Sequence, residues 1–191
     1  ETARPSAASQ PACDESYTPP AARSVEELLS VKEGEDEALQ RYKAALLGPS
    51  PTLRSHDPRR LLLSAISILP ADRPPIPIDL SSRSRVAIKE GCEYRLQFEF
   101  TVQNELLSGL RYSRVVTRMG IQLENESHML GSFAPDPHKV ITVQVPRRDW
   151  EIAPSGMLAR ATYTVKSSFT DDDKVEHWAY SFELEVKKDW G

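Results

Sequence analysis

The sequence predicts an all-β protein: an antiparallel β-sandwich preceded by a flexible arm that forms a short helical hairpin. Three observations carry this reading. Beyond about residue 60 the apolar residues recur with a period of two, in many short runs. No helical stretch separates those runs, which excludes the alternating strand–helix rhythm of a doubly wound sheet. Many of the 15 prolines fall before Pro77, so the first third of the chain is expected to be looser than the rest.

The arm comes first. Residues 1–23 read as disordered, with Pro5, Pro11, Pro19 and Pro20 set among Ala and Ser. Ser24-Val25-Glu26-Glu27 fits a capping box, with Ser24 as N-cap and Glu27 reaching back to it, ahead of Leu28 and Leu29. Gly34 breaks that run. Asp36 can cap a second helix, on which Leu39, Tyr42 and Leu46 form one apolar stripe before Gly48-Pro49 stops it. This hairpin, about residues 24–47, has too little apolar area to be stable alone. It must pack on its own body or on a partner. Pro49, Pro51 and Pro58 mark a linker, which divides the chain into an arm, 1–58, and a sandwich, 59–191.

In the sandwich, Leu62 to Leu69 alternates loosely. Tyr94, Leu96, Phe98, Phe100 and Val102 alternate with Arg95, Gln97, Glu99 and Thr101, so 94–102 is a strand with one wholly apolar face. Ile141, Val143 and Val145 repeat the pattern. Tyr163 and Val165 follow it, and then Tyr180, Phe182, Leu184 and Val186. Gly91, Gly109, Gly120, Gly131 and Gly156 punctuate these runs.

Charge and chemistry narrow the function. The net charge is -4. It resides in residues 1–48, which hold nine acids and five bases, so the sandwich is neutral. An acidic arm on a neutral body lacks the basic face that nucleic acid requires and suits a basic partner. No phosphate cradle, zinc pair or nucleophile elbow is present, so the sequence offers no residues for an enzyme and implies no cofactor. Cys13 and Cys92 read as two free thiols of a reducing compartment. No stretch approaches the ~18 apolar residues of a membrane span, and no charged-then-apolar segment opens the chain. A soluble cytoplasmic protein without stable membrane insertion is expected. His128 stands apart from the other histidines and reads as a hydrogen-bonded core or rim residue. Asp171-Asp172-Asp173 invites comparison with a calcium loop. Adjacent residues of an extended loop point different ways, however, so the plainer reading is a solvated turn or a contact for a basic partner, with no metal.

Several motifs together resemble the Rho GDP-dissociation inhibitor family. They are Lys89-Glu90-Gly91 with Glu93-Tyr94-Arg95; Ser108-Gly109-Leu110 before Tyr112; Gly131-Ser132-Phe133 with Pro135; Gly156-Met157-Leu158-Ala159-Arg160; Phe169-Thr170-Asp171-Asp172-Asp173-Lys174 with His177; and Lys187-Lys188-Asp189-Trp190. In the arm, Tyr17 with Pro19-Pro20-Ala21, Asp36-Glu37 with Leu39, and Tyr42-Lys43 with Ala45-Leu46-Leu47-Gly48 are similar to the family's regulatory segment. The order and spacing of the motifs, from about residue 17 onward, carry the resemblance.

The resemblance implies an immunoglobulin-like sandwich that binds geranylgeranylated Rho-family GTPases in their GDP form, as a monomer in a one-to-one complex. The arm would meet the switch regions and block GDP release. The sheets would take the geranylgeranyl group between them, so that the GTPase is extracted from membranes. By motif position, Asp36, Leu39, Tyr42, Asp173 and Glu151 are implied as GTPase contacts. Ile68, Val86, Leu106, Leu158, Val165 and Phe182 are implied as lining the prenyl pocket, with Tyr180 nearby. The chain departs from the family at Ile152, where a second acid is usual beside Glu151, and at Ala38, where a hydroxyl is common. Val86 and Phe182 replace larger aromatics, which implies a roomier or differently shaped pocket. The competing readings are a general prenyl- or acyl-binding carrier without nucleotide control, and a calcium-dependent membrane-adhesion domain.

Overall fold

The computed structural model describes residues 57–81 and 84–190. Every regular element among them is a strand: β1 (Leu61–Pro70), β2 (Ile76–Ile78), β3 (Arg85–Lys89), β4 (Glu93–Val102), β5 (Leu107–Arg118), β6 (Ile121–Phe133), β7 (Asp136–Val145), β8 (Glu151–Ile152), β9 (Thr162–Thr170) and β10 (Glu176–Lys187). One sheet runs β2-β1-β4-β7, with β8 pairing the start of β4; the other runs β3-β10-β9-β5-β6. All of these pairings are antiparallel except that of β3 with β10. The arm, with its expected hairpin at 24–47 and the residues Asp36, Leu39 and Tyr42, lies outside the described residues. Among the described residues no helix is long and apolar enough to cross a membrane.

The period-two pattern explains the two-layer arrangement. Each strand with alternating side chains has one face that must leave water, and two such faces cover each other. β4 is the clearest case: Tyr94, Leu96, Phe98, Phe100 and Val102 are all buried and their alternates are not. The loose alternation of 62–69 has a local cause. The β1–β4 register slips between Leu63 and Ala65, and Ser64 turns out to donate its hydroxyl to the Glu99 carbonyl at 2.8 Å.

Two of the five glycines differ from the expectation of punctuation. Gly109 and Gly131 lie inside β5 and β6, where the ladder shifts register, rather than between strands. Gly109 has φ +59°, and the Asp172 carboxylate occupies the space a side chain would fill: a Cβ there would sit 2.0 Å from that group.

Candidate functional site

The interior has two unlike halves. Towards the β9–β10 turn it is aromatic. The Phe98 ring lies 4.6 Å from Tyr112 and 5.1 Å from Phe169, and Phe100 lies 5.2 Å from Phe133. Tilted and edge-on geometries of this kind add to simple burial. The buried Tyr112 hydroxyl is satisfied by Ser167 at 3.0 Å. Towards the opposite end aliphatic side chains predominate, with Tyr94, Tyr163 and Phe182 among them. Val116, Val165 and Phe182 stand in register across β5, β9 and β10. Beside them Leu184 pairs with Val86. On the facing sheet Ile68, Leu96 and Val145 stand in register.

Four expected pocket residues, Ile68, Val86, Val165 and Phe182, therefore share one buried core. Tyr180 also faces this core, its ring stacked on Phe182 at 5.8 Å. The other two expected residues stand apart. Leu106 is in the β4–β5 loop, 37% exposed, and Leu158 is in the β8–β9 loop, 86% exposed. These loops lie at opposite ends of the sandwich, separated by the length of β9, nine residues, which is roughly 30 Å.

A charged network edges the aliphatic half. Arg114 falls on the inward phase of β5, between Tyr112 and Val116, and is buried. It donates to Glu151 on β8 at 2.6 Å and to Glu126 on β6 at 2.8 Å, with Glu124 at 3.6 Å. Burial of a guanidinium acts to release its proton, but the neighbouring Tyr94 and Glu151 outweigh that and hold Arg114 more firmly charged than usual. The same surroundings act on Tyr94, whose phenol is pushed up by burial and by the Glu151 charge. His128 sits at the rim, 3.4 Å from Glu126, as its isolation in the sequence suggested. Glu126, His128 and Glu151 bring possible ligand atoms within 4.8 Å of one another, and Arg114 supplies a cation to two of the three. The expected contact residue Glu151 is thus already engaged within the fold. The signal for Arg114 was present in the sequence, as a charge on the apolar phase of Tyr112 and Val116.

The acid triplet divides into three roles. Asp171 is buried; it accepts from His177 at 2.8 Å and from the Val175 backbone N–H at 2.9 Å. Asp172 turns towards Ser108 and Gly109. Asp172 and Asp173 are both exposed, and Asp173 stands at the tip of the turn with no side-chain partner among the described residues. Asp171 and Asp172 are directed to different partners, an arrangement that suits a structural turn better than a calcium loop. Lys174 at φ +62° closes the turn by donating its N–H to the Asp171 carbonyl.

Comparison with known proteins gives a consistent answer. A sequence model of the family described as RHO protein GDP dissociation inhibitor matches residues 3–189. The chain is similar to a putative Rho GDP-dissociation inhibitor 1 of Dictyostelium discoideum, 40% identical over 91% of each chain. It is also similar to the human Rho GDP-dissociation inhibitor 1, at 33% identity over 91% of this chain and 86% of the relative. A probable Rho GDP-dissociation inhibitor of Caenorhabditis elegans is 38% identical over 91% of this chain and 92% of its own.

Proposed function

Because the chain belongs to the Rho GDP-dissociation inhibitor family, we propose that it binds geranylgeranylated Rho-family GTPases in their GDP form, slows GDP release through the arm 1–58, and withdraws them from membranes by burying the prenyl group between the sheets of 59–191. It acts by binding rather than by catalysis, in the cytoplasm, as a monomer forming a one-to-one complex.

The observation that supports the lipid half of this reading is the aliphatic end of the interior. A prenyl chain gains about 0.8 kcal/mol per buried CH2, on the order of 10 kcal/mol in all. A carrier must match that in water. Ile68 on one sheet and Val86, Val165 and Phe182 on the other supply facing apolar walls. Parting them replaces one set of apolar contacts with another and leaves the Tyr180–Phe182 stack intact because both rings belong to β10, whereas parting the aromatic end would break the contacts of Phe98 with Tyr112 and Phe169 across the sheets. Leu158, exposed at the same end as the aliphatic walls, is suited to the entrance of the slot rather than to its lining.

The contacts with the GTPase body fall elsewhere. Asp173 is free to form a charge-assisted bond with a basic partner residue, and it lies at the far end of β9 from Leu158. A partner that meets both must span roughly 30 Å, which suits a globular domain resting along the sandwich with its lipidated tail at one end. Asp36, Leu39 and Tyr42 of the arm complete the grip, and the arm's missing burial is then supplied on docking.

The test is binding to a GDP-loaded Rho-family GTPase with and without its geranylgeranyl group. A large gain in affinity from the lipid, together with slowed GDP release, is expected. Gain from the lipid with unchanged GDP release would leave a general lipid carrier. No binding in either form would overturn the reading.

A further inference from the structure

We propose that the end of the sandwich carrying Met119, Met157 and Leu158 is a membrane-docking surface, whose apolar tips enter the interface of a bilayer containing anionic lipid. At this end the β5–β6 turn exposes Met119 at 93%, the first residue of β6, Ile121, is exposed at 67%, and the β8–β9 loop exposes Met157 at 82% and Leu158 at 86%. These are large apolar side chains on protruding turns, not residues at the rim of the core.

The loops are ordered from beneath. Arg118 donates to the Leu158 carbonyl at 2.6 Å and so ties the two loops together. Tyr163 donates its hydroxyl to the Ala159 carbonyl at 2.7 Å. Arg160 grips Glu90 with two bonds, at 2.9 and 2.7 Å, and the Gly156 N–H donates to the same carboxylate at 2.9 Å. Polar groups hold the base while the apolar groups are turned out to water. A loop folding for its own stability would do the reverse.

Met119 sharpens the point. Met119 and Gly120 form a two-residue hairpin turn with positive φ at both positions, +50° and +81°. Asn or Gly ordinarily fills the first of these positions, and a side chain such as Met is strained there. The chain thus carries both backbone strain and an exposed apolar group at one residue, with no compensating contact in the described fold.

Shape and charge identify the occupant. The apolar groups stand on turns at the strand ends, each largely in water, and a fluid interface accommodates them without the fitted, packed face that a folded protein partner requires. The turns and strand ends here (71–75, 89–93, 118–121, 146–161 and 187–190) carry eight Lys and Arg against six Asp and Glu. Those of the opposite end (57–60, 103–106, 134–135 and 171–175) carry three against five. The surplus of cations thus accompanies the apolar tips, as attraction to anionic lipid requires. Trp150, half-exposed on the β7–β8 loop with the Arg95 guanidinium 4.3 Å from its ring centre, is the kind of residue that settles at headgroup depth.

This goes beyond the carrier reading and can be measured without a GTPase. The full chain is sedimented with vesicles of phosphatidylcholine containing about a third phosphatidylserine, and with phosphatidylcholine alone. Partition onto the anionic vesicles is expected, weaker onto neutral ones. The double variant Met119→Glu, Met157→Glu should reduce it by about tenfold or more, with its melting temperature unchanged because both side chains are in water. Val140→Glu, an exposed apolar site on β7, should leave partition intact. The proposal is overturned if the wild type ignores anionic vesicles, or if Val140→Glu weakens binding equally. It is also overturned if the double variant melts markedly lower, since the methionines would then be covered by another part of the chain. A concentration-dependent dimer that the double variant abolishes would equally overturn it, assigning the surface to a second copy. A companion measurement separates this from the carrier reading. The double variant should bind a geranylgeranylated GTPase in solution as the wild type does, and extract it from vesicles more slowly. Failure of the wild type to bind in solution would sink the carrier reading and leave the vesicle result standing.

Discussion

At the end of the sandwich that bears the β9–β10 turn, aromatic rings meet across the sheets and the exposed turns are mostly polar; at the other end the interior is mainly aliphatic and the surface turns carry large apolar side chains. Both ends belong to the same ten strands and one continuous core. The difference lies in what each can give up. Rings meeting edge to face hold a particular geometry, and a buried hydroxyl pair such as Tyr112–Ser167 loses its partner if the sheets move apart. Valines, leucines and isoleucines exchange one apolar neighbour for another at low cost. The aromatic end is thus a fixed base, and the mainly aliphatic end is the one that the proposed carrier function would open.

The largest effect should come from removing the base. Phe169→Ala deletes a fully buried ring in contact with Phe98 and Tyr112, and should cost about 3–5 kcal/mol in urea unfolding. A loss of less than ~2 kcal/mol would mean that the aromatic end is loosely packed and that the contrast fails.

Second is the network at the side of the aliphatic half. Arg114→Met keeps the volume but leaves Glu151 partly buried without its cation. A loss of about 3 kcal/mol is expected, the lower part of the range for a broken buried pair because Glu126 reaches water. If stability is unchanged, Arg114 is dispensable to the fold and Glu151 is free for a partner.

Third is the response to alkali. Burial pushes the Tyr112 phenol up to about 12, against an ordinary value near 10, with its Ser167 bond acting in the opposite direction. The folded protein therefore keeps a proton that the unfolded chain has lost. Stability should be intact below pH ~10 and decline as the pH rises from about 10 to 12, by up to roughly 3 kcal/mol from this residue. Tyr94 and Tyr180, both raised by burial, act in the same direction. Equilibrium unfolding at a series of alkaline pH values would check this. Tyr112→Phe should flatten the slope, and an unchanged slope would show that the titration lies elsewhere.

What the sequence made legible follows from this architecture. Strands with one face in water and one in the core announced themselves, as in 94–102. β5 and β6 did not, for identifiable reasons. Gly109 shifts the phase of β5, and Arg114 interrupts its apolar face with a charge. β6 is exposed on both faces from Ile121 to Ser127, so no alternation is required of it. The candidate site was legible where a motif was local, as in the acid triplet, whose first two carboxylates face different partners as adjacent loop residues should. It was not legible where distant segments meet: nothing in the spacing announces that Glu151 reaches Arg114, or that Arg118 joins the turn of Met119 to the loop of Leu158. The different depths of Leu158 and Val165 were hidden for the same reason, because a motif records identity and not exposure.

The smallest effect on stability, and the most informative about function, should separate neighbours within the triplet. Asp171→Asn weakens a buried carboxylate that serves His177 and the Val175 N–H, and should cost about 1–3 kcal/mol. Asp173→Asn alters an exposed turn and should fall within ~0.5 kcal/mol of the wild type. The order should reverse in binding. Losing one charge-assisted bond weakens a complex by about tenfold, so Asp173→Asn should reduce affinity for the prenylated GTPase by that factor, while Asp171→Asn does so only as far as the turn is disturbed. Titration calorimetry on both variants decides the matter. If Asp173→Asn binds as the wild type does, the polar end is only a base, and recognition of the GTPase body must come from the arm.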